Sequence, residues 1–188
     1  MNLSLPRFAG LALALGATLL LAPSNRAAEK PSKLRPVDEK FLQDEATTGK
    51  ALVTIAGEAA SRGGSEVVRA FARSLVHDHE KANAELSKLA AAKEVELAPG
   101  DFNPHRDRLD SIRALKGDAF DREFVSLMIE KHAESVENFE KASADSPDVD
   151  LKKWASRMLP GLKAHLNRAK ELSSEKSAST ENKNLIVL

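Results

Sequence analysis

The chain has 188 residues, 28 Lys+Arg against 28 Asp+Glu, and no cysteine. The lack of Cys excludes disulfides, thiolate metal sites, thiol catalysis and a lipid-attachment cysteine. Zero formal net charge without a long basic run argues against a phosphate-binding surface, so no nucleic-acid partner is expected.

Residues 1–24 have the three-part layout of a secretory signal. Arg7 gives the positive start, Phe8 to Leu21 is an apolar run, and small residues follow in APSNRAA. The run is about 14 residues, short of the roughly 20 that a spanning helix needs. Cleavage is expected after Ser24, with Ala27 and Ala28 as alternatives. The mature protein is then periplasmic or secreted, without a stable transmembrane anchor. Residues 25–37, with two prolines and many charges, read as a flexible lead-in.

Abundant Ala, Leu, Glu and Lys favour helix. Asp38 is the expected cap of a first helix reaching about Ala60. Its apolar positions, Phe41, Leu42, Ala46, Leu52, Ile55 and Ala59, recur at spacings suited to one helix face. Gly49 and Gly57 weaken this helix or let a neighbour approach closely. Arg62-Gly63-Gly64 ends it, and Ser65 caps a second helix running to about Lys93. There Val68, Phe71, Leu75, His79, Ala82, Leu86 and Leu89 form an unbroken seam with His79 on it. His77 lies off the seam and is expected at the surface.

Pro99-Gly100 and Asn103-Pro104 interrupt the pattern, with a short helix expected from about Arg106 to Leu115. A third long helix, Asp118 to Ala144, carries Phe124, Met128, His132, Ser135 and Phe139. After the Ser146-Pro147 break, a fourth runs from Asp148 to about Leu172, with Trp154, Met158, Leu162 and His165 on its seam. Pro160 should kink it. Residues 173–188 are polar and read as a disordered tail. Phe71, Leu75, Val76, His79 and Leu86 match Phe124, Met128, Ile129, His132 and Phe139 at one constant offset, a weak internal repeat.

Four amphipathic helices over residues 38–172, with a long link between the second and third, indicate an all-α four-helix bundle. If the link crosses the bundle, the second and third helices run parallel. His79 and His132 then sit at one height, with His165 within a turn or two. Neutral imidazoles ligate Fe, Zn or Cu, and bundle cores commonly hold such ions. The candidate metal residues are therefore His79, His132 and His165, with Asp78 as a carboxylate and Mn as a further candidate ion. Glu45 is expected about 9 Å below the His79 level at 1.5 Å per residue. The carboxylate-bridged di-iron pattern needs Glu three residues before each His, and Val76 and Ile129 stand there. No nucleophile elbow or phosphate-binding loop is present in the sequence, so no catalytic residue is assigned.

Several short stretches resemble one known family. Phe71-Ala72 and Asp78-His79 with Asn83 and Leu86 are similar to the second helix of the DUF4142 family. Gly117, Phe120-Asp121 and His132 resemble its third helix, and Leu159-Pro160 with His165-Leu166 its fourth. The resemblance implies an exported bacterial protein with a ferritin-like four-helix domain, and an association with envelope or stress physiology. The family carries Glu in the first helix where this chain has Leu52. The expected function is a non-enzymatic exported bundle, open to a protein partner or homo-oligomer. The alternative is a metal-binding or redox bundle using the three histidines.

Overall fold

Pro36, not Asp38, opens the first helix of the computed structural model, which describes residues 33–98 and 106–186. Proline suits this position because its φ is already helical and the first turn needs no amide donor. Asp38 lies inside the first turn, where the helix dipole favours an acid. It accepts two hydrogen bonds, at 2.8 and 2.9 Å, from the Arg35 guanidinium.

The described residues form five helices and no strand: α1 Pro36–Arg62, α2 Glu66–Ala92, α3 Arg106–Arg113, α4 Gly117–Asp145 and α5 Val149–Ile186. The leader over 1–24, most of the lead-in, and the turn around Pro99 to His105 lie outside the described residues. Ser65 caps α2 as expected, its hydroxyl accepting from the Val68 amide at 3.3 Å. Buried Asp121 on α4 accepts from the Gly64 and Ser65 amides at 2.8 and 2.9 Å. It thereby fastens the α1–α2 turn to the start of α4. A side chain at Gly64 would meet the Gly117 backbone at 2.8 Å, and Gly117 itself has φ +54°, so both positions suit glycine.

Asp148 caps α5 by accepting from the Leu151 amide at 2.9 Å, and Lys93 bridges Asp148 and Asp150 at 2.7 Å each. α5 continues through Pro160 and past Leu172 to Ile186. The segment read as a disordered tail is thus helical as far as Ile186. Its Ser, Glu, Lys and Ala residues carry little core signal, yet an established helix extends at low cost through Glu, Lys and Ala. No described helix is long and apolar enough to cross a membrane.

Residues Pro31–Leu188 form one compact unit. Within it α1 packs mainly on α2 and α4 on α5, with α1–α4 and α2–α5 closing the bundle. The starts of α2 and α4 meet at Asp121, while the end of α2 meets the start of α5 at Lys93. α2 and α4 therefore run parallel across a diagonal, and α5 runs against both.

The apolar interior is divided in two. One core centres on Ile55, Phe71, Leu75, Phe124 and Met128. The other centres on Leu42, Leu86, Phe139, Leu151 and Trp154. His79 falls between Leu75 and Leu86, His132 between Met128 and Phe139, and His165 between Leu162 and Ala169. The histidines form a polar layer where the two cores meet.

Candidate metal centre

Each histidine enters the layer from a different helix because it occupies a seam position among large apolar residues. His132 on α4 is fully buried, His79 on α2 is 8% exposed, and the His165 side chain on α5 is 13% exposed. Their ring centroids lie 5.3 Å apart for His79–His132, 5.7 Å for His79–His165 and 5.3 Å for His132–His165. One nitrogen from each lies within 4.8 Å of the others.

The hydrogen bonds fix most of the protons. His132 Nδ1 is 2.8 Å from the Met128 carbonyl, which only accepts, so Nδ1 carries the proton and Nε2 carries the lone pair. That Nε2 faces His79 Nε2 at 3.2 Å. His165 Nε2 lies 3.0 Å from Asp78 Oδ2 and donates to it. His165 Nδ1 is buried, aromatic-walled by Phe71, and has no hydrogen-bond partner among the described residues.

Burial sets the charge state. Desolvation first, then the neighbouring His132 and His165, lowers His79 to about 3. Desolvation lowers His132 to about 4, partly opposed by the hydrogen bond to Met128. Both are neutral at pH 7 and able to ligate. Tetrahedral bonds of about 2.0–2.1 Å place ligand nitrogens roughly 3.3 Å apart. The His79–His132 pair already has that spacing at 3.2 Å, and His165, within 4.8 Å, would move in by up to about 1.5 Å to complete the set. An all-imidazole donor set suits Cu, Zn, Fe or Ni better than Mn, which prefers oxygen.

Asp78 is not in this group. Its side chain is 53% exposed and holds His165 from outside. Neighbouring residues on a helix point about 100° apart, so Asp78 reaches His165 and the edge of the cavity rather than the buried His79–His132 pair. This is the carboxylate–imidazole arrangement that orients ligating histidines. His77 is exposed, as expected.

Two residues carry more than the sequence disclosed. Glu45 lines the same cavity as His79 and His165. It accepts from Ser135 at 3.2 Å and Asn138 at 3.4 Å, and burial pushes it up to about 7 against those bonds. An acid within the apolar seam of α1 was the available signal. Trp154 is core, as expected, but its indole Nε1 is buried with no hydrogen-bond partner among the described residues.

The domain of unknown function DUF4142 matches residues 23–172, which include all three histidines. The chain belongs to the DUF4142 family. No curated protein matches it. Among solved structures, this DUF4142 chain is similar to CopM in its Cu(II)-bound form, at 17% identity and TM-score 0.63, covering 73% of this chain and 96% of that one. The Cu(I)-bound form of CopM is similar at 18% identity and TM-score 0.61, with the same coverage. A DUF305 fragment from Deinococcus radiodurans aligns at 13% identity and TM-score 0.67, covering 77% and 99%. At these identities the likeness establishes a shared helical-bundle fold.

Proposed function

We propose that this DUF4142 protein is an exported, non-enzymatic bundle that holds one transition-metal ion, copper first, on His79, His132 and His165. The observation that carries the reading is the convergence of three imidazoles from three helices, two of them held neutral. A purely structural cluster has no use for the buried Nδ1 of His165, which lacks a partner among the described residues. Ligation supplies that partner. Copper is placed first because imidazole suits it and because the similar CopM occurs in copper-bound forms.

The ion itself would supply a Lewis-acid centre and, if copper, a one-electron Cu(I)/Cu(II) couple. His132 would approach from the closed interior, anchored by Met128. His165 would approach from the α5 side, oriented by Asp78. His79 would ligate through Nε2 as the neutral tautomer with its ring proton on Nδ1, opposite to the tautomer that donates to His132. The leader-like residues 1–24 support a periplasmic or secreted location, where an ion could be met outside the cytoplasm.

Metal analysis of protein purified from its native compartment tests this. About one equivalent of copper is expected. Less than about a tenth of an equivalent, together with no thermal shift on adding Cu, Zn or Fe, would end the proposal, since a ligand of the folded state must stabilise it.

A further inference from the structure

We infer that the side of the histidine layer facing α1 is a binding pocket for a small uncharged heteroaromatic base of the azole type. The inference rests on the three-histidine reading for how the ligand's head is held, and on the cavity itself for its body.

Three helices give the layer an imidazole each. α1 lines this side with Glu45, Thr48, Gly49 and Leu52 and adds no fourth imidazole. A cavity of about 90 Å³ opens there, lined by His79, His165 and Trp154 among others. A single water needs roughly 10–15 Å³ by the same kind of measure, so the space takes a small ring or a few waters. Gly49 contributes to its shape, because any side chain there would overlap the Asn83 amide.

The lining chooses the ligand. Leu52, Leu86, Phe139, Met158 and Leu162 form an apolar wall. No Lys or Arg among the described residues lines the cavity, while Glu45 and Asp78 do. Without an ion on the histidines, an anion would meet two carboxyl groups and no counter-charge. Glu45 is hydrogen-bonded by the neutral Ser135 and Asn138, and its raised proton affinity leaves it only partly charged near neutrality. A fixed organic cation therefore finds a weak partner. The unsatisfied groups ask for something else. The Trp154 indole N–H needs a lone pair, and His165 Nδ1 needs an N–H or an ion. A neutral azole carries a lone pair and an N–H on one apolar ring, so it suits either nitrogen once a side-chain rotation opens that nitrogen to the cavity.

The mouth is identifiable. Gly161 lines the cavity, is exposed, and lies one turn before His165. A Cβ added there meets nothing within 4 Å. A large side chain at this point would cover the opening without forcing the backbone.

Imidazole is the probe and azide the anionic control, both added to the full chain at pH 8. Trp154 is the single tryptophan of the sequence, so its emission reports cavity occupancy with or without an ion. Cobalt(II), bound one-to-one, reports coordination through its visible spectrum. Imidazole should change Trp154 emission saturably in the metal-free protein and shift the cobalt spectrum without releasing the ion on gel filtration. Azide should bind the metal-free protein at least tenfold more weakly. Gly161→Phe should keep the cobalt and weaken imidazole tenfold or more, whereas Gly161→Ala should match the parent. The inference is overturned by an unchanging Trp154 emission, by azide binding as tightly as imidazole, or by Gly161→Phe binding imidazole as the parent does. A chain that takes no cobalt but shows the Trp154 response keeps the pocket and loses the metal reading. A chain that holds cobalt and shows no response to imidazole keeps the centre and loses the pocket.

Discussion

His79 and His132 face each other Nε2 to Nε2 at 3.2 Å across the bundle diagonal. Because Met128 fixes the His132 proton on Nδ1, the shared position between the two Nε2 atoms holds either one proton from His79 or an ion, not both. The same geometry that makes a neutral hydrogen-bonded pair makes two ready ligands.

The metal-free protein should lose stability as pH falls, and in two stages. His79 and His132 are depressed from 6.5 to about 3 and about 4. Below pH 6.5 the unfolded chain binds their two protons and the folded chain does not, so folding weakens. Glu45 works in the opposite direction. It is raised from 4.5 to about 7, so the folded chain holds a proton there that the unfolded chain releases until about pH 4.5. The net slope is about one proton, roughly 1.4 kcal/mol per pH unit, between pH 6.5 and 4.5, and about twice that from 4.5 to 4. Of the other groups facing the layer, half-exposed Asp78 stays paired with His165 on its solvent side. Urea melts at half-unit steps check this, and a flat profile from pH 6.5 to 4 would show that the histidines are not held neutral.

Asp78→Ala should weaken metal binding by about tenfold to a hundredfold, because orienting partners of ligating histidines contribute on that scale. Global stability should change by less than about 1 kcal/mol, because the Asp78 side chain is half exposed and water can replace it at His165 Nε2. Competition titration against a chelator of known affinity, beside thermal melts, separates the two. Unchanged affinity would remove Asp78 from the centre.

Asp121→Ala should cost about 2–4 kcal/mol, since it leaves the Gly64 and Ser65 amides without their buried acceptor. Folded protein should still bind one equivalent of metal, because Asp121 lies at the end of the bundle near the α1–α2 turn. Denaturant melts and metal counts on the same sample test both halves.

The two glycines of α1 should separate. A Cβ at Gly57 meets nothing within 4 Å, whereas at Gly49 it overlaps Asn83. Gly57→Ala should stabilise by about 0.5–1 kcal/mol through helix propensity. Gly49→Ala should gain less or destabilise, and should alter Trp154 emission if Asn83 is displaced. Equal gains at both sites would mean that Asn83 does not pack there.

The sequence made both glycines suspect but could not tell them apart, because the difference lies in what α2 places opposite. The histidine layer was legible because 3.6-residue periodicity puts His79, His132 and His165 on buried seams, and parallel α2 and α4 set their heights. Asp78 was misleading as a ligand candidate because adjacency in sequence is divergence on a helix. It meets α5 instead, a pairing that no local pattern encodes. Counting along α1 set Glu45 below the layer and said nothing of the cavity between helices that it lines with His79 and His165. The start of α1 was missed by two residues because Pro36 and Asp38 are both good openers, and the Arg35–Asp38 pair decides between them. The helical continuation of α5 escaped because disorder and an exposed polar helix share a composition.

X-ray absorption at the copper edge of the one-to-one complex tests the central claim most directly. The account predicts three imidazole nitrogens at about 2 Å, with the imidazole scattering reduced to two rings in His132→Ala. A first shell dominated by oxygen or sulfur, or one unchanged in His132→Ala, would contradict it.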